Sequence, residues 1–423
     1  MQHKQSDGVA IVGAGIVGLC TAYAMRQAGW RVTLFDPNPP GSQCSSGNAG
    51  ALSSRSVAPL AMPGVLGTAW SMLLDATSPL HIPPRYWLRA APWLAGFVAA
   101  ARPARVRVIA DALDRLLAGS VDAHARLAAE VGVPHLVRRN GQLHLYPGER
   151  EFAKDRASWN LKREYGLKME QVGRAAIAEM EPAVGPAYGM GLFLPDEGWM
   201  AEPLRYAQAI AARLAQMDAS FVTARIAALS RDDAGWTLTD GAQRWHAGRV
   251  VVCAGAWSRP LLAALGHDVP LETQRGYHLH LAQPNVQPGR VVVLADRKVF
   301  ITPMDGGLRI AGTVEFGGLE RPLNRRRAML LAGHTQAGLP GLQIEAPSVW
   351  MGHRPCLPDS LPVLGPVPGQ PGLWCAFGHG HLGLTGSANT GPLLARAMAG
   401  QADPAELAPY AIERFARGAA QAA

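Results

Sequence analysis

The chain has 423 residues and a formal net charge of +8, a length that suits roughly two or three domains, each with a core of its own. Hydrophobic residues make up 48% and charged residues 17%, which excludes a disordered chain. The excess positive charge is mostly arginine spread along the sequence, with no compact basic run carrying interleaved aromatics, which excludes nucleic-acid binders.

No apolar stretch reaches the length of a membrane span without a charge or a Pro/Gly break. The five cysteines, Cys20, Cys44, Cys253, Cys356 and Cys375, form no C-x-x-C pair. A disulfide framework and a structural zinc are therefore not expected, and a reducing cytoplasm fits best.

The first element is the apolar strand Val9-Ala10-Ile11-Val12, followed by Gly13-Ala14-Gly15-Ile16-Val17-Gly18 at the mouth of a helix. A second strand, Arg31–Phe35, ends on Asp36. Strand, glycine turn, helix, strand and acid in register make a dinucleotide-binding unit. Gly13 permits the tight turn, Gly15 lets the backbone approach a pyrophosphate, and Gly18 lets the helix pack on the strand. Ile16 and Val17 supply free N–H groups at the positive helix end. Asp36 accepts hydrogen bonds from a ribose and repels a 2′-phosphate, which disfavours NADP. The alternatives are a plain tight turn and a signal-peptide core, and the stretch lacks a small-residue cleavage site.

Residues 37–64 are rich in Gly, Pro and Ser, with Ser45-Ser46-Gly47-Asn48-Ala49-Gly50 as a loop near the cofactor. A long helical pattern runs from about Pro84 to Gly132, broken at Pro103. Within it, residues 85–107 combine Arg85, Arg89, Arg102, Arg105 and Arg107 with Trp87, Trp93 and Phe97. That composition fits either a helix lying in an anionic membrane surface or one covering a domain core. Residues 133–147, with Asn140-Gly141, read as a hairpin.

A helix follows from about Pro203 to Met217, then short strands around Ala219–Leu229 and Gly235–Thr239. The run Arg249–Val252 reads as a buried parallel strand, and Ala254 and Gly255 at its end pass close to a ligand. Four antiparallel strands are expected at Gly276–Leu281, Arg290–Leu294, Lys298–Pro303 and Gly307–Gly312. Residues 350–365 read as irregular and proline-rich. The chain closes with the strand Leu373–Phe377, a second glycine loop, and a helix from about Gly386 to Ala399.

That second loop, Gly378-His379-Gly380-His381-Leu382-Gly383-Leu384-Thr385, lies far from the first. An NAD enzyme built from two halves needs its second half soon after the first. A flavin uses a second positive pole at the N1–C2=O edge, where the reduced ring collects negative charge. FAD is therefore favoured over NAD, with Gly380, His381, Leu382, Gly383, Leu384 and Thr385 as flavin-facing candidates.

Taken together, the blocks at Val9–Gly18 with Asp36, Asn48-Ala49-Gly50, Ala58–Gly64, Arg275-Gly276-Tyr277 and Lys298–Thr302 resemble the FAD-dependent amine and D-amino-acid oxidoreductases. Leu308–Gly312, Gly352-His353-Arg354-Pro355 with Pro358-Asp359, and Gly378–Thr385 carry the resemblance through nearly the whole chain, nearest to the bacterial D-amino acid dehydrogenases. It implies a split, Rossmann-like α/β FAD domain (residues 1–80, 200–260 and 345–423) with an α+β, mixed-sheet substrate domain (81–199 and 261–344). It also implies oxidation of an amino acid to an imino acid, with a quinone or respiratory-chain acceptor.

Several positions depart from that pattern. Asp36 stands where Glu is usual, Arg275 where the dehydrogenases often have Lys, and His381 where a small residue is common; Ser54-Arg55-Ser56 also differs. These changes bear on substrate identity. Relatives that attach flavin covalently use a cysteine at the position resembling Gly352, so the resemblance implies non-covalent FAD.

Arg354 suits the substrate carboxylate, which a guanidinium holds through two parallel hydrogen bonds; the alternative is an ion pair bracing its loop. Tyr277 either caps the same carboxylate or packs as a sheet aromatic. His381 is a polar group for the flavin edge. The pairs His278-x-His280 and His379-x-His381 lack nearby Cys, Asp or Glu at ligand spacing, so no metal is expected. Hydride transfer needs a deprotonated amine and no obligatory side-chain base. The alternatives are a secondary or cyclic amino acid (D-proline type, sarcosine or glycine), an NAD-dependent dehydrogenase, and a non-catalytic FAD-stabilised subunit.

Overall fold

The computed structural model describes residues 8–63 and 80–416; Gly64, the last residue of the Ala58–Gly64 block, lies outside the described residues. Five parallel strands build the first sheet, in the order Ser220–Val222, Val32–Phe35, Val9–Val12, Arg249–Val252 and Leu373–Phe377, and Val363–Pro366 closes it antiparallel. The central strands are apolar along their whole length because both faces are covered. The helices Ile16–Gln27 and Gly383–Met398 pack on one face of this sheet with Pro203–Gln216. The three-stranded antiparallel sheet of Ala228–Asp232, Gly235–Thr239 and Arg244–Ala247 packs on the other, through Leu229, Trp236 and Leu238.

A second, nine-stranded mixed sheet stands beside the first. Its long strands Glu272–Leu281, Val299–Met304 and Gly307–Phe316 are antiparallel neighbours, and Val291–Leu294 pairs antiparallel with Val299–Met304. The helix Arg325–Gly338 covers one face through Ala328 and Leu331. The other face turns toward the first sheet.

Two expectations need correction. Residues 133–147 are not a hairpin: Val137–Arg138 pairs with Gly198–Met200, while Gln142–Tyr146 pairs with Met190–Leu194 and runs parallel to Val291–Leu294. The Asn-Gly pair turns the chain from one sheet to another, because each flanking strand finds a longer-range partner.

Residues 348–356 are not irregular. Ser348–Cys356 is a nine-residue strand paired along its length with Glu272–Leu281, and Pro355 is accommodated because this is an edge strand. Trp93 fits the core-covering alternative: it is 5% exposed, its indole N–H donates to the Cys356 carbonyl (3.1 Å), and it stacks on Phe97. The strands Arg244–Ala247, Met190–Leu194 and Glu170–Gly173 were not expected at all.

Candidate active site

A cavity of about 1230 Å³ runs between the two large sheets. Drug-sized ligands occupy roughly 300–1,000 Å³, so there is room for a dinucleotide and a small substrate together. Of the sequence-predicted residues, Gly13, Gly15, Ile16, Val17, Asp36, Asn48, Ala49, Ala254, Gly255, Arg354, Tyr277 and Gly380–Thr385 all line it. Gly18 and Gly50 do not; they shape the turns behind it.

The first glycine turn fits a pyrophosphate. Gly13 has φ of +111°, and a Cβ there would lie 2.4 Å from the Cys253 carbonyl oxygen, so only glycine is accommodated. Gly15 caps the Ile16–Gln27 helix without a side-chain bond. Ser45, in the loop expected near the cofactor, accepts from the Ile16 N–H through Oγ (2.9 Å), so that N–H is not the free group expected. Asp36 accepts from the N–H groups of Ala14 and Asn38 (both 2.9 Å), which locks the acid to the glycine turn it serves.

The loop at 46–50 is held from the second sheet. Arg309 donates to the carbonyls of Ser46 (2.9 Å) and Asn48 (2.6 Å). His278 donates from Nδ1 to the Gly47 carbonyl (3.1 Å) and stacks on Trp350. Burial pushes Arg309 down to about 10 and His278 to about 3. Arg309 sits in a block that carried the resemblance and His278 directly follows one, yet nothing in their spacing told that they would grip a loop more than two hundred residues earlier.

The second glycine loop leads into the helix Gly383–Met398. His124 fixes it: Nε2 faces the carbonyls of Leu384 (2.8 Å) and Thr385 (3.2 Å) and Nδ1 faces the Tyr206 hydroxyl (3.0 Å). Carbonyls only accept, so the proton is on Nε2. His381 presents its ring to the cavity, ringed by protein but open to its volume. The loss of bulk water pushes His381 down to about 4, and Arg354 and Lys162 push the same way. It is neutral at physiological pH.

Arg354 rises from the edge strand into the cavity wall. Its guanidinium lies across Gly276, so close that a Cβ at 276 would stand 2.3 Å from Cζ. It donates to the Thr313 carbonyl (3.3 Å). No carboxylate among the described residues pairs with it, which removes the bracing ion pair as its explanation.

Tyr277 is placed differently. Its ring touches the cavity wall, but it packs in the core with Ala328 and Leu331, and its hydroxyl is bonded to Glu315. Arg275 is 1% exposed and pairs with the same Glu315 (3.1 Å). Arg275 therefore belongs to the core of the second sheet and not to the pocket, contrary to what its departure from the family pattern suggested.

A lobe of the cavity that the sequence did not indicate is lined by His144, Tyr146, Asp155, Trp159 and Lys162, facing Lys298 and Phe300. Lys298 pairs with Asp155 (2.8 Å), which also accepts from the Tyr146 hydroxyl (3.0 Å). Glu197 accepts from the N–H groups of Ser54 (2.6 Å) and Arg55 (3.1 Å), while burial raises its carboxyl to about 7.

The chain belongs to the family "DAO: FAD dependent oxidoreductase", which it matches over residues 8–397, and it is accordingly an FAD-dependent oxidoreductase; the NAD alternative falls. A protein named D-amino-acid oxidase from Bradyrhizobium diazoefficiens is 37% identical, over 96% of this chain and 98% of that one. D-amino acid dehydrogenase 2 from Ralstonia nicotianae is 33% identical, over 96% and 100%. Among solved structures, glycine oxidase from Bacillus cereus superposes with a TM-score of 0.73 at 17% identity, over 96% and 98% of the two chains. L-proline dehydrogenase from P. horikoshii gives 0.74 at 16%, over 98% and 99%. These superpositions speak for the fold.

Proposed function

We propose that this protein oxidises a D-amino acid to the imino acid, which water then hydrolyses to a keto acid and ammonia. The observation that carries the reading is Arg354: a guanidinium without a carboxylate of its own, spread over Gly276 in the cavity wall, beside His381 and the second glycine loop. The names of the two curated relatives point the same way. Bound FAD supplies the two-electron acceptor toward which the α-hydrogen departs as hydride.

The chain's own residues bind and orient. Arg354 holds the α-carboxylate by a charge-assisted fork. His381, neutral, offers a hydrogen bond near the reacting carbon without adding a second positive charge beside the amine. The amine enters the step unprotonated. The apolar walls, among them Phe300 and Trp350, exclude water from it.

FAD is held non-covalently in this reading. A Cβ at Gly352 would lie 2.0 Å from the Trp350 ring, so that ring occupies the space a linking side chain needs. Cys356 is buried with its thiol pushed up to about 12, which leaves no thiolate to react.

Electron transfer to a quinone-type acceptor at a membrane surface is supported by the Trp87–Ala100 helix. Its outer face shows Leu88, Ala91, Pro92, Ala95, Val98 and Ala99, with Arg85, Arg89, Arg102 and Arg105 exposed around it and no acid between 84 and 110. Leu88 is 92% exposed. An apolar face bracketed by arginines suits an anionic interface. Its inner side, with Trp93 and Phe97, lines the cavity. The test is steady-state turnover with a quinone analogue against oxygen consumption in air. Rapid peroxide formation with poor quinone turnover removes the dehydrogenase reading.

A further inference from the structure

The cavity holds a second cation that the reaction so far does not use. Lys162 lies on the helix Glu149–Glu164, its ammonium 4.2 Å from the centre of the Trp159 ring. It lines the same cavity as Arg354. Among the described residues it has neither an ion pair nor a hydrogen bond. The other charges of this lobe are accounted for: Asp155 by Lys298 and Tyr146, Glu197 by two backbone N–H groups, and Arg55 by Asp114 (2.5 Å). Lys154 is exposed at the rim. Among the described residues Lys162 is therefore the cation of this lobe without a direct partner, with the Glu197 carboxylate in Coulombic reach of it.

A second observation points to a ligand. His144 stands edge-on to Trp159 (5.0 Å) and Phe300 (6.4 Å), and its Nε2 is buried without a hydrogen-bond partner. Buried polar atoms are almost always satisfied, and each exception needs a reason. An unpaired ammonium and an orphaned imidazole nitrogen share one lobe; the ammonium calls for acceptor oxygens, and the imidazole meets them with its proton on Nε2.

We propose that this lobe receives the substrate's side chain and that Lys162, with His144, selects one ending in a carboxylate, so that the preferred substrates are acidic D-amino acids of the aspartate and glutamate type. The inference rests on the reading that Arg354 holds the α-carboxylate. Arg354 and Lys162 line one cavity and both are in Coulombic reach of His381. The ammonium is compact and would meet a carboxylate as a point charge, while Trp159 keeps its stem in place. A side-chain amide of the same shape leaves the ammonium without a counter-charge, and such mismatches are strongly rejected.

The holoenzyme decides it by kcat/KM for D-glutamate against D-glutamine and D-aspartate against D-asparagine. The acid is preferred by about 10-fold or more in at least one pair. Lys162→Met collapses that ratio, and Lys162→Arg keeps most of it. A readout independent of turnover is the change in flavin absorbance on titration with glutarate or succinate against butyrate or propionate, where the dicarboxylates bind tighter and lose that advantage in Lys162→Met. Equal or better use of the amides, or a Lys162→Met variant that slows acids and amides alike, overturns the proposal. Reduction by neutral D-amino acids with no acid preference defeats this inference and leaves the function standing. Absence of reduction by any D-amino acid defeats the function, and the dicarboxylate titration still decides the second cation's role.

Discussion

Gly276→Ala moves Arg354 without touching it. Gly276 is not in the left-handed region, so an alanine strains no backbone. Its Cβ would stand 2.3 Å from Arg354 Cζ, 2.4 Å from Nη2 and 2.7 Å from Nε. Favourable heavy-atom contacts begin at about 3.5 Å, so the guanidinium must retreat by about 1 Å. It is the end of a flexible side chain, so folding is spared. A carboxylate clamp misplaced by that distance loses on the order of 100-fold in rate, about 2.7 kcal/mol of transition-state binding. The assay is kcat/KM with the best D-amino acid, beside FAD content from the absorbance of the purified protein and Tm. Because the loss passes through Arg354, Gly276→Ala in an Arg354→Ala background should cost little more. Near-normal kcat/KM in Gly276→Ala, or losses that simply add in the double variant, would refute the clamp.

Four further outcomes are expected. Arg354→Ala loses on the order of 2–4 kcal/mol in kcat/KM while retaining FAD, and Arg354→Lys recovers part, because a point charge does not reproduce the fork. Tyr277→Phe lowers stability by about 1–2 kcal/mol through the bond lost to Glu315 and leaves KM unchanged; a large rise in KM would return Tyr277 to the substrate. The buried His124, His278 and His379 have pKa values near 4, 3 and 3, below the unfolded 6.5, so unfolding takes up their protons and stability falls as pH drops from 6.5 toward 4. His144 and His381, lowered to about 3 and 4, act with them, while Glu197, raised to about 7, opposes them in part, so the histidines set the sign near pH 5. Denaturant unfolding of the holoenzyme at pH 7.5 and 5 checks the sign, and equal stability at the two contradicts it. Leu88→Glu, at an exposed position, should abolish binding to anionic vesicles at low salt without changing kcat/KM for the amino acid; vesicle binding that survives it returns the helix to a purely covering role.

The cofactor half was legible because its chemistry is local. Gly13, Gly15, Gly18 and Asp36 sit within one strand–turn–helix–strand unit, and the second loop sits in a single strand-to-helix turn. Residues that hold these loops were not legible. Arg309, His278, Ser45 and His124 bind backbone groups far away in sequence, and no spacing announces a side chain that grips a distant carbonyl.

The strand at 348–356 was missed because Pro355 and the nearby prolines read as breakers, while pairing with Glu272–Leu281 along nine residues overrode them. The hairpin at 133–147 failed for the converse reason: the turn signal at Asn140-Gly141 was sound, but tertiary pairing chose other partners. The lobe around Lys162 was invisible because its walls come from one helix and two strands that no local pattern joins.

The account's central claim is stereospecific reduction of the bound flavin by an amino acid. Anaerobic mixing of the holoenzyme with a panel of D- and L-amino acids, followed at the visible flavin absorbance band, tests it most directly. Bleaching by one or more D-amino acids, with release of a keto acid and ammonia and with the L-enantiomers inert, is the result expected. A flavin that bleaches with no D-amino acid, or equally with both enantiomers, contradicts it.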